Sequence, residues 1–150
     1  TITIHHLLLN RNDMLVNGIN PHYFCLPIIK KRSDQLALIE AATSGNPKYF
    51  LGTDSAPHPK NSKECGSGKA GIFSSPVSLP LYVELFEREA ALDRFEAFAS
   101  FNGADFYKLP RNKEKINLQK TKHPVPKSIP FGGDEVVPIF AGESLQWKME

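Results

Sequence analysis

A short apolar run that ends in a carboxylate is the feature of this chain that most limits its fold. Residues 49–53 read Tyr-Phe-Leu-Gly-Thr, and Asp54 and the turn sequence Ser-Ala-Pro-His follow at once. An apolar run of this length is typical of a strand buried on both faces of a parallel sheet. In barrel enzymes the residues at the carboxyl ends of such strands carry the chemistry. Asp54 is therefore a candidate catalytic residue.

The sequence before this run predicts one strand–helix–strand unit. The predicted elements are a strand over residues 22–25, a helix over residues 33–43 and a second strand over residues 49–53. Gly45-Asn46-Pro47 ends the helix, because glycine and proline together stop helical propagation. Such alternation indicates an α/β fold with a parallel sheet.

Further helices and a long loop are predicted after Asp54. Residues 55–75 are rich in Pro, Gly, Ser and Lys and lack periodicity, which is typical of a binding loop or lid. Apolar residues at helical spacing predict helices over residues 78–90 and 93–100.

The texture of the sequence changes beyond Pro110. Short alternating runs, separated by the proline-rich residues 123–130, predict a small β-rich extension. We therefore expect residues 1–112 to form one α/β unit and residues 113–150 to form a C-terminal extension packed on it.

Length sets a further expectation. A complete (β/α)₈ barrel needs roughly 250 residues, whereas this chain has 150. The chain also opens on Thr1 without an initiator Met or a signal-like apolar segment. These features predict the C-terminal portion of a larger barrel.

Composition argues against nucleic-acid binding, membrane association and a cysteine metal site. Lys and Arg number 18 against 16 Asp and Glu, and the basic residues cluster only at Lys30-Lys31-Arg32, so we expect no nucleic-acid partner. No apolar run approaches the roughly 20 residues of a membrane span, so we expect no membrane association. Cys25 and Cys65 are too few for a four-cysteine metal site, and we expect them to remain thiols in the cytoplasm.

Several motifs spread over the chain carry a resemblance to a known family. They are LGTDSAPH at residues 51–58 with the glycine-rich loop after it, NRNDML and PHYFCLPIIK upstream, and FEAFASFNGADFYKLP and VVPIFAGESLQW downstream. Together they resemble the dihydroorotases of the amidohydrolase superfamily. The resemblance implies the C-terminal part of a (β/α)₈ barrel. It also implies zinc-dependent, reversible hydrolysis of the cyclic amide of dihydroorotate to N-carbamoyl-L-aspartate, in pyrimidine biosynthesis.

The resemblance assigns roles to four residues. It implies that Asp54 binds one of a pair of Zn²⁺ ions and exchanges a proton with the attacking water and the departing ring nitrogen. It makes His58 a contact of the substrate carboxylate, and it makes Leu26 and Ala70 backbone contacts of the substrate. We expect the side chain of Leu26 to lie in the core. The remaining metal ligands of the family have no counterpart in this chain. We therefore expect the chain to be inactive alone, and the full-length enzyme to be a homodimer.

Four other histidines and two other function classes stand beside this interpretation. His5 and His6 are predicted to be structural, because adjacent side chains point in different directions, and His22 and His123 are predicted to have no function. An enzyme acting on another cyclic amide and a non-catalytic barrel homologue serving as an assembly partner stay open. A non-catalytic homologue has no reason to keep Asp54 with His58 and Ala70.

Overall fold

Helices occupy the first part of the chain and hydrogen-bonded strands the last part in the computed structural model, which describes residues 1–150. The α-helices are α1 (Ile4–Leu8), α2 (Arg11–Leu15), α3 (Arg32–Thr43), α4 (Lys60–Lys63), α5 (Ser78–Arg88) and α6 (Asn102–Tyr107). Between them lie 3₁₀ turns at Pro21–Tyr23, Ser75–Val77 and Leu92–Arg94 and a π-helical segment at Ala97–Phe101. The strands are β1 (Leu118–Pro124), β2 (Ile129–Phe131), β3 (Asp134–Val136) and β4 (Ser144–Met149). No helix has the length and apolar character needed to cross a membrane.

Parallel pairing near the N-terminus brings distant parts of the chain together. Leu51 forms a single parallel bridge with Ile2, and Ile2 N donates to Phe50 O over 2.9 Å. Further parallel bridges join Ser55 to Ile72 and Phe73 to Pro138. The strand predicted over residues 49–53 is therefore extended chain with one bridge and no continuous ladder.

The strand predicted over residues 22–25 is wrong. A 3₁₀ turn occupies Pro21–Tyr23, and the side chain of Asn20 accepts a hydrogen bond from His22 N over 3.1 Å. Asparagine at the N-cap followed by proline at the first helical position favours a helical start. This local cap outweighs the apolar pattern of Tyr23, Phe24 and Cys25.

The helices agree with the sequence pattern to different degrees. Helix α3 begins one residue before its predicted start and ends at Thr43, and α5 begins at Ser78 as predicted. The predicted loop over residues 55–75 contains the short helix α4. The helix predicted over residues 93–100 continues as π-helix and α6 to Tyr107.

Gly103 lies in the part of this last helix that extends beyond its predicted end. Glycine disfavours a helix interior, so the sequence suggests a stop near that position. A Cβ atom at Gly103 would lie 3.1 Å from Cδ2 of Phe50. Close packing on Phe50 therefore keeps a glycine within the helix.

All four strands lie within residues 113–150. Strands β1 and β4 pair antiparallel with an irregularity between Lys120 and His123, and β2 pairs antiparallel with β3. Glu87 of α5 accepts hydrogen bonds from Lys120 Nζ of β1 over 2.6 Å and from Trp147 Nε1 of β4 over 3.0 Å. These contacts hold the β1–β4 pair against α5. The division of the chain into units at residues 1–112 and 113–150 stays a prediction.

Helix α5 lies at the centre of the core. Tyr82 and Phe86 are its largest fully buried side chains, and both rings pack against Phe98 with centroids 5.7 and 5.2 Å away. The hydroxyl of Tyr82 donates to Ile2 O over 2.8 Å and approaches Gly52 O at 3.2 Å. Tyr82 therefore joins α5 to both segments of the parallel pair that precedes Asp54.

Replacing Tyr82 by Phe should lower the free energy of unfolding by about 1–3 kcal/mol, because buried carbonyl groups lose a hydrogen-bond donor. Chemical denaturation of the full-length protein that contains this chain measures this change. Tyr107→Phe is the matched control, because Tyr107 is 61% exposed. Equal effects of the two substitutions would contradict the role assigned to the Tyr82 hydroxyl.

Candidate active site

Asp54 lies in an unusual backbone conformation at the end of the extended segment. Its φ angle is 42°, in the left-handed region that non-glycine residues seldom adopt and that Asp and Asn tolerate best. Its side chain is 53% exposed. It borders a cavity whose other lining residues are Thr1, Ile2, Thr3, His6, Pro27 and Leu38. A strained residue whose carboxylate faces a cavity is a functional-site hypothesis.

His5 lies beside Asp54. The two residues each follow the Ile2–Leu51 bridge by three positions, so the parallel register brings them side by side. The distance from His5 Nε2 to Asp54 Oδ2 is 3.7 Å, and Thr3 Oγ1 lies 3.2 Å from the same nitrogen. Burial, with a smaller effect of His6, lowers the pKa of His5 to about 4. His5 is therefore neutral at pH 7, and its contact with Asp54 is not an ion pair.

His6 and Cys25 complete a group of possible metal ligands near the carboxylate. One ligand atom from each of His5, His6 and Cys25 lies within 4.8 Å of the others. Burial and the nearby Lys30 lower the pKa of His6, and burial raises the pKa of the Cys25 thiol, which disfavours the thiolate that binds metals. Sequence reasoning treated both histidines as structural; the bridge register is what brings them to Asp54.

The residues predicted to bind substrate lie on two neighbouring segments. Gly71 N donates to Phe24 O over 2.9 Å, which joins the loop containing Ala70 to the chain just before Leu26. His58 Nε2 lies 3.1 Å from Ala70 O. The structure therefore brings His58 and Ala70 into contact and connects Ala70 to the Leu26 segment.

Both backbone groups of Leu26 and the N–H of Ala70 are free of hydrogen bonds within the chain. The amide N–H groups on either side of Ala70 are occupied, because Lys69 N donates to Ser62 O and Gly71 N donates to Phe24 O. The N–H of Ala70 makes no hydrogen bond within the chain, and neither backbone group of Leu26 makes one. The Leu26 side chain, which we expected in the core, is 67% exposed. That expectation is wrong, because the chain before Leu26 is a turn and not a buried strand.

Two other charged or titratable residues of this region make contacts or are buried in ways that the sequence does not reveal. His22, predicted to have no function, contacts Glu64 through Nε2 at 2.8 Å. Lys63, which lies in the predicted loop over residues 55–75, is only 3% exposed. Sequence reasoning missed Lys63, because one lysine in a polar stretch carries no signal of burial.

Comparison with known proteins shows similarity along the whole chain. The dihydroorotase of Vibrio vulnificus strain YJ016 is 61% identical over 150 residues, which are 100% of this chain and 44% of that protein. The dihydroorotase of Methylobacillus flagellatus is 56% identical over 150 residues, which are likewise 100% of this chain and 44% of that protein. No protein-family model matches the chain.

Solved structures show the same similarity. The crystal structure of dihydroorotase from Campylobacter jejuni superimposes with a TM-score of 0.89 at 38% identity, over 100% of this chain and 44% of that one. Dihydroorotase from Saccharomyces cerevisiae in complex with 5-fluoroorotic acid gives a TM-score of 0.91 at 35% identity. The match covers 99% of this chain and 42% of that one. A D-hydantoinase from Thermus sp. gives a TM-score of 0.73 at 18% identity. The match covers 98% of this chain and 36% of that one, and it supports the fold alone.

The fold is the α/β arrangement that dihydroorotase and D-hydantoinase share over the matched part. Within that group, the chain is homologous over its whole length to the C-terminal part of dihydroorotases. It spans about 44% of the length of the curated relatives it matches. The resemblance stated from the sequence motifs is confirmed.

Proposed function

We propose that this chain supplies the last strands, the substrate loop and the covering helices of a (β/α)₈-barrel dihydroorotase. The reaction is the reversible hydrolysis of the cyclic amide of dihydroorotate to N-carbamoyl-L-aspartate. The observation that carries the proposal is the carboxylate of Asp54, which borders a cavity and directly follows a parallel pair of segments. An exposed carboxylate follows a parallel pair of segments, and the next loop offers a histidine and an unpaired backbone N–H.

Asp54 is proposed as the residue that moves the proton. Its half-exposed carboxylate borders the cavity, where it is accessible to water and substrate. A carboxylate in this position can take a proton from the attacking water and return it to the ring nitrogen as the amide bond breaks. The same residue serves both directions of the reaction, because the reverse reaction passes through the same proton transfers.

The residues around Asp54 fit a contribution to a zinc site. Carboxylate oxygen and imidazole nitrogen are both common Zn²⁺ ligands, and Asp54 and His6 border one cavity. We propose that Asp54 is the ligand from this chain and that the other ligands lie in residues outside it. Bound Zn²⁺ polarises a carbonyl and lowers the pKa of water.

Orientation of the substrate is proposed to come from Leu26, His58 and Ala70. The free N–H of Ala70 can donate to a carboxylate oxygen, and the free backbone groups of Leu26 can pair with the polar edge of a cyclic amide. His58 uses Nε2 on Ala70 O, which leaves Nδ1 for an anion. When Nε2 donates to Ala70 O, Nδ1 can donate to an anion only in a ring that carries a proton on both nitrogens.

The full-length protein that contains this chain should hydrolyse dihydroorotate, lose activity with a chelator and regain it with Zn²⁺. Parallel assays with hydantoin distinguish an enzyme for another cyclic amide. Faster turnover of hydantoin than of dihydroorotate would contradict the proposed substrate. Absence of turnover of either compound in the metal-loaded protein would favour the non-catalytic assembly partner.

His58→Ala should raise KM for dihydroorotate by about 10- to 150-fold, the equivalent of the roughly 1.5–3 kcal/mol of a hydrogen bond to a charged group. Zinc content should stay at the wild-type level, because His58 is assigned no metal. His123→Ala, in strand β1, is the control with the same change of side chain. Loss of zinc with an unchanged KM would make His58 a metal ligand instead.

We also infer a homodimeric, cytoplasmic enzyme with a small-molecule substrate. Sedimentation of the full-length protein tests the first of these properties, and a monomer at micromolar concentration would contradict it.

A further inference from the structure

Lys63 is a buried cation whose contacts all belong to the proposed substrate-binding segments. It is the last residue of α4 and is 3% exposed. Its Nζ donates to Gly71 O over 2.6 Å, Lys69 O over 2.8 Å and Phe24 O over 3.0 Å. An ammonium group has three N–H donors. Each donor of Lys63 therefore has one backbone carbonyl as its partner.

The charge of Lys63 is compensated by carbonyl dipoles and not by a carboxylate. Lys63 forms no salt bridge, although Glu64 follows it in the sequence. Burial lowers the pKa of Lys63 to about 8, so the ammonium form predominates at pH 7. Burying a charge costs free energy unless it is well compensated. An apolar side chain would avoid that cost but would leave Lys69 O and Gly71 O without a donor, so the ammonium group is what holds the three carbonyls together.

The contacts of Lys63 fix the direction of the Ala70 N–H. The peptide bond between Lys69 and Ala70 is planar and trans, so its C=O and N–H point to opposite sides. Because Lys69 O is directed at Nζ of Lys63, the N–H of Ala70 points away from Lys63. That N–H is the group without a partner in the chain.

The third contact connects this loop to the other binding segment. Phe24 O accepts from Lys63 Nζ and also from Gly71 N, over 2.9 Å. Leu26 lies two residues beyond Phe24. Lys63 therefore holds the Ala70 loop and the chain before Leu26 in one fixed arrangement.

We propose that Lys63 is a positioning residue, whose ammonium group holds Lys69 O, Gly71 O and Phe24 O so that the Ala70 N–H is directed at the substrate. This role rests on the proposed function. Lys63 itself contacts neither the substrate nor the metal. Its removal should therefore weaken substrate binding more than it slows the chemical step.

The test is the kinetics of Lys63→Met in the full-length, zinc-loaded protein, with dihydroorotate as substrate. Methionine keeps a long unbranched side chain and removes the charge and all three donors. We expect KM to rise by about tenfold or more, kcat to stay within about threefold, and bound zinc to be unchanged. Lys63→Arg keeps a charged donor group and should recover a large part of the loss in KM.

Lys60→Met is the matched control. Lys60 lies on the same helix, is partly exposed, and pairs with Glu135 over 2.8 Å outside the binding segments. It should leave KM within about twofold of wild type. An unchanged KM in Lys63→Met, or equal losses in Lys63→Met and Lys60→Met, would overturn the proposal.

Folding and function are separated within the same experiment. If Lys63→Met does not fold, Lys63→Gln, which removes the charge and keeps a neutral donor group, is measured in its place. A raised KM with an unchanged kcat then supports the positioning role, and a wild-type KM overturns it. Failure of the wild-type protein to turn over dihydroorotate would contradict the proposed function and not the contacts of Lys63. Faster hydrogen exchange at the amides of Lys69 and Gly71 in Lys63→Met then reports on those contacts directly; unchanged exchange there would overturn them.

Discussion

Asp54→Asn should abolish turnover of dihydroorotate and of N-carbamoyl-L-aspartate in the full-length protein. General acid–base catalysis by one side chain contributes about 10²- to 10⁴-fold to a rate, and an amide can neither take nor return the proton. The amide is also a weaker Zn²⁺ ligand than a carboxylate, because it carries no charge. The loss should therefore reach or exceed that range in both directions.

Asparagine is the informative replacement at this position. The left-handed backbone of Asp54, at φ 42°, is tolerated by Asn nearly as well as by Asp, whereas Ala would add strain. A loss of activity in Asp54→Asn thus reports on the chemistry of the carboxylate and not on the fold. Rates in both directions, zinc content and thermal melting should be measured together.

Asp93→Asn is the control for this experiment, because Asp93 is 76% exposed and lies in the 3₁₀ turn after α5. It should retain wild-type rates. Activity of Asp54→Asn within tenfold of wild type would remove Asp54 from the mechanism.

The parts of the fold that depend on local sequence were predicted well. Helices α3 and α5 follow from apolar spacing, and Gly45-Asn46-Pro47 marks the end of α3. The prediction of a strand over residues 22–25 is wrong, because the N-cap Asn20 and Pro21 favour a helical turn more than the apolar run favours a strand. The predicted end of the helix over residues 93–100 is wrong, because the helical chain continues through Gly103. Gly103 packs closely on Phe50, a contact that sequence alone does not reveal.

The candidate site likewise contains residues that local sequence predicts and residues that only tertiary contacts bring together. Asp54 was predicted from a local pattern, an apolar run that ends in a carboxylate. The proximity of His5 depends on the parallel register of Ile2 with Leu51, which joins residues far apart in the chain. The burial of Lys63 depends on three carbonyls from two separate segments. Such convergence is a property of tertiary structure and leaves no pattern in the sequence around the lysine.

The isolated 150-residue chain should show no zinc-dependent turnover of dihydroorotate. The proposed metal site needs several ligands, and Asp54 is the single ligand that we assign to this chain. The chain alone also exposes Ile19 at 77%, Leu26 at 67% and Phe106 at 65%, and its extended segments leave parallel sheet edges open. Exposed apolar surface and open edges favour association, so the chain alone should aggregate or stay partly unfolded.

Complementation tests the reason for this inactivity. Mixing the chain with the part of the Vibrio vulnificus dihydroorotase that it does not match should give a compact species and restore zinc-dependent hydrolysis. The same mixture made with the Asp54→Asn chain should be equally compact and inactive, which separates assembly from catalysis. A monomeric, cooperatively melting chain that hydrolyses dihydroorotate unaided would contradict both the partial-barrel proposal and the placement of the other metal ligands outside these residues, because Asp54 would then need every partner from within the chain.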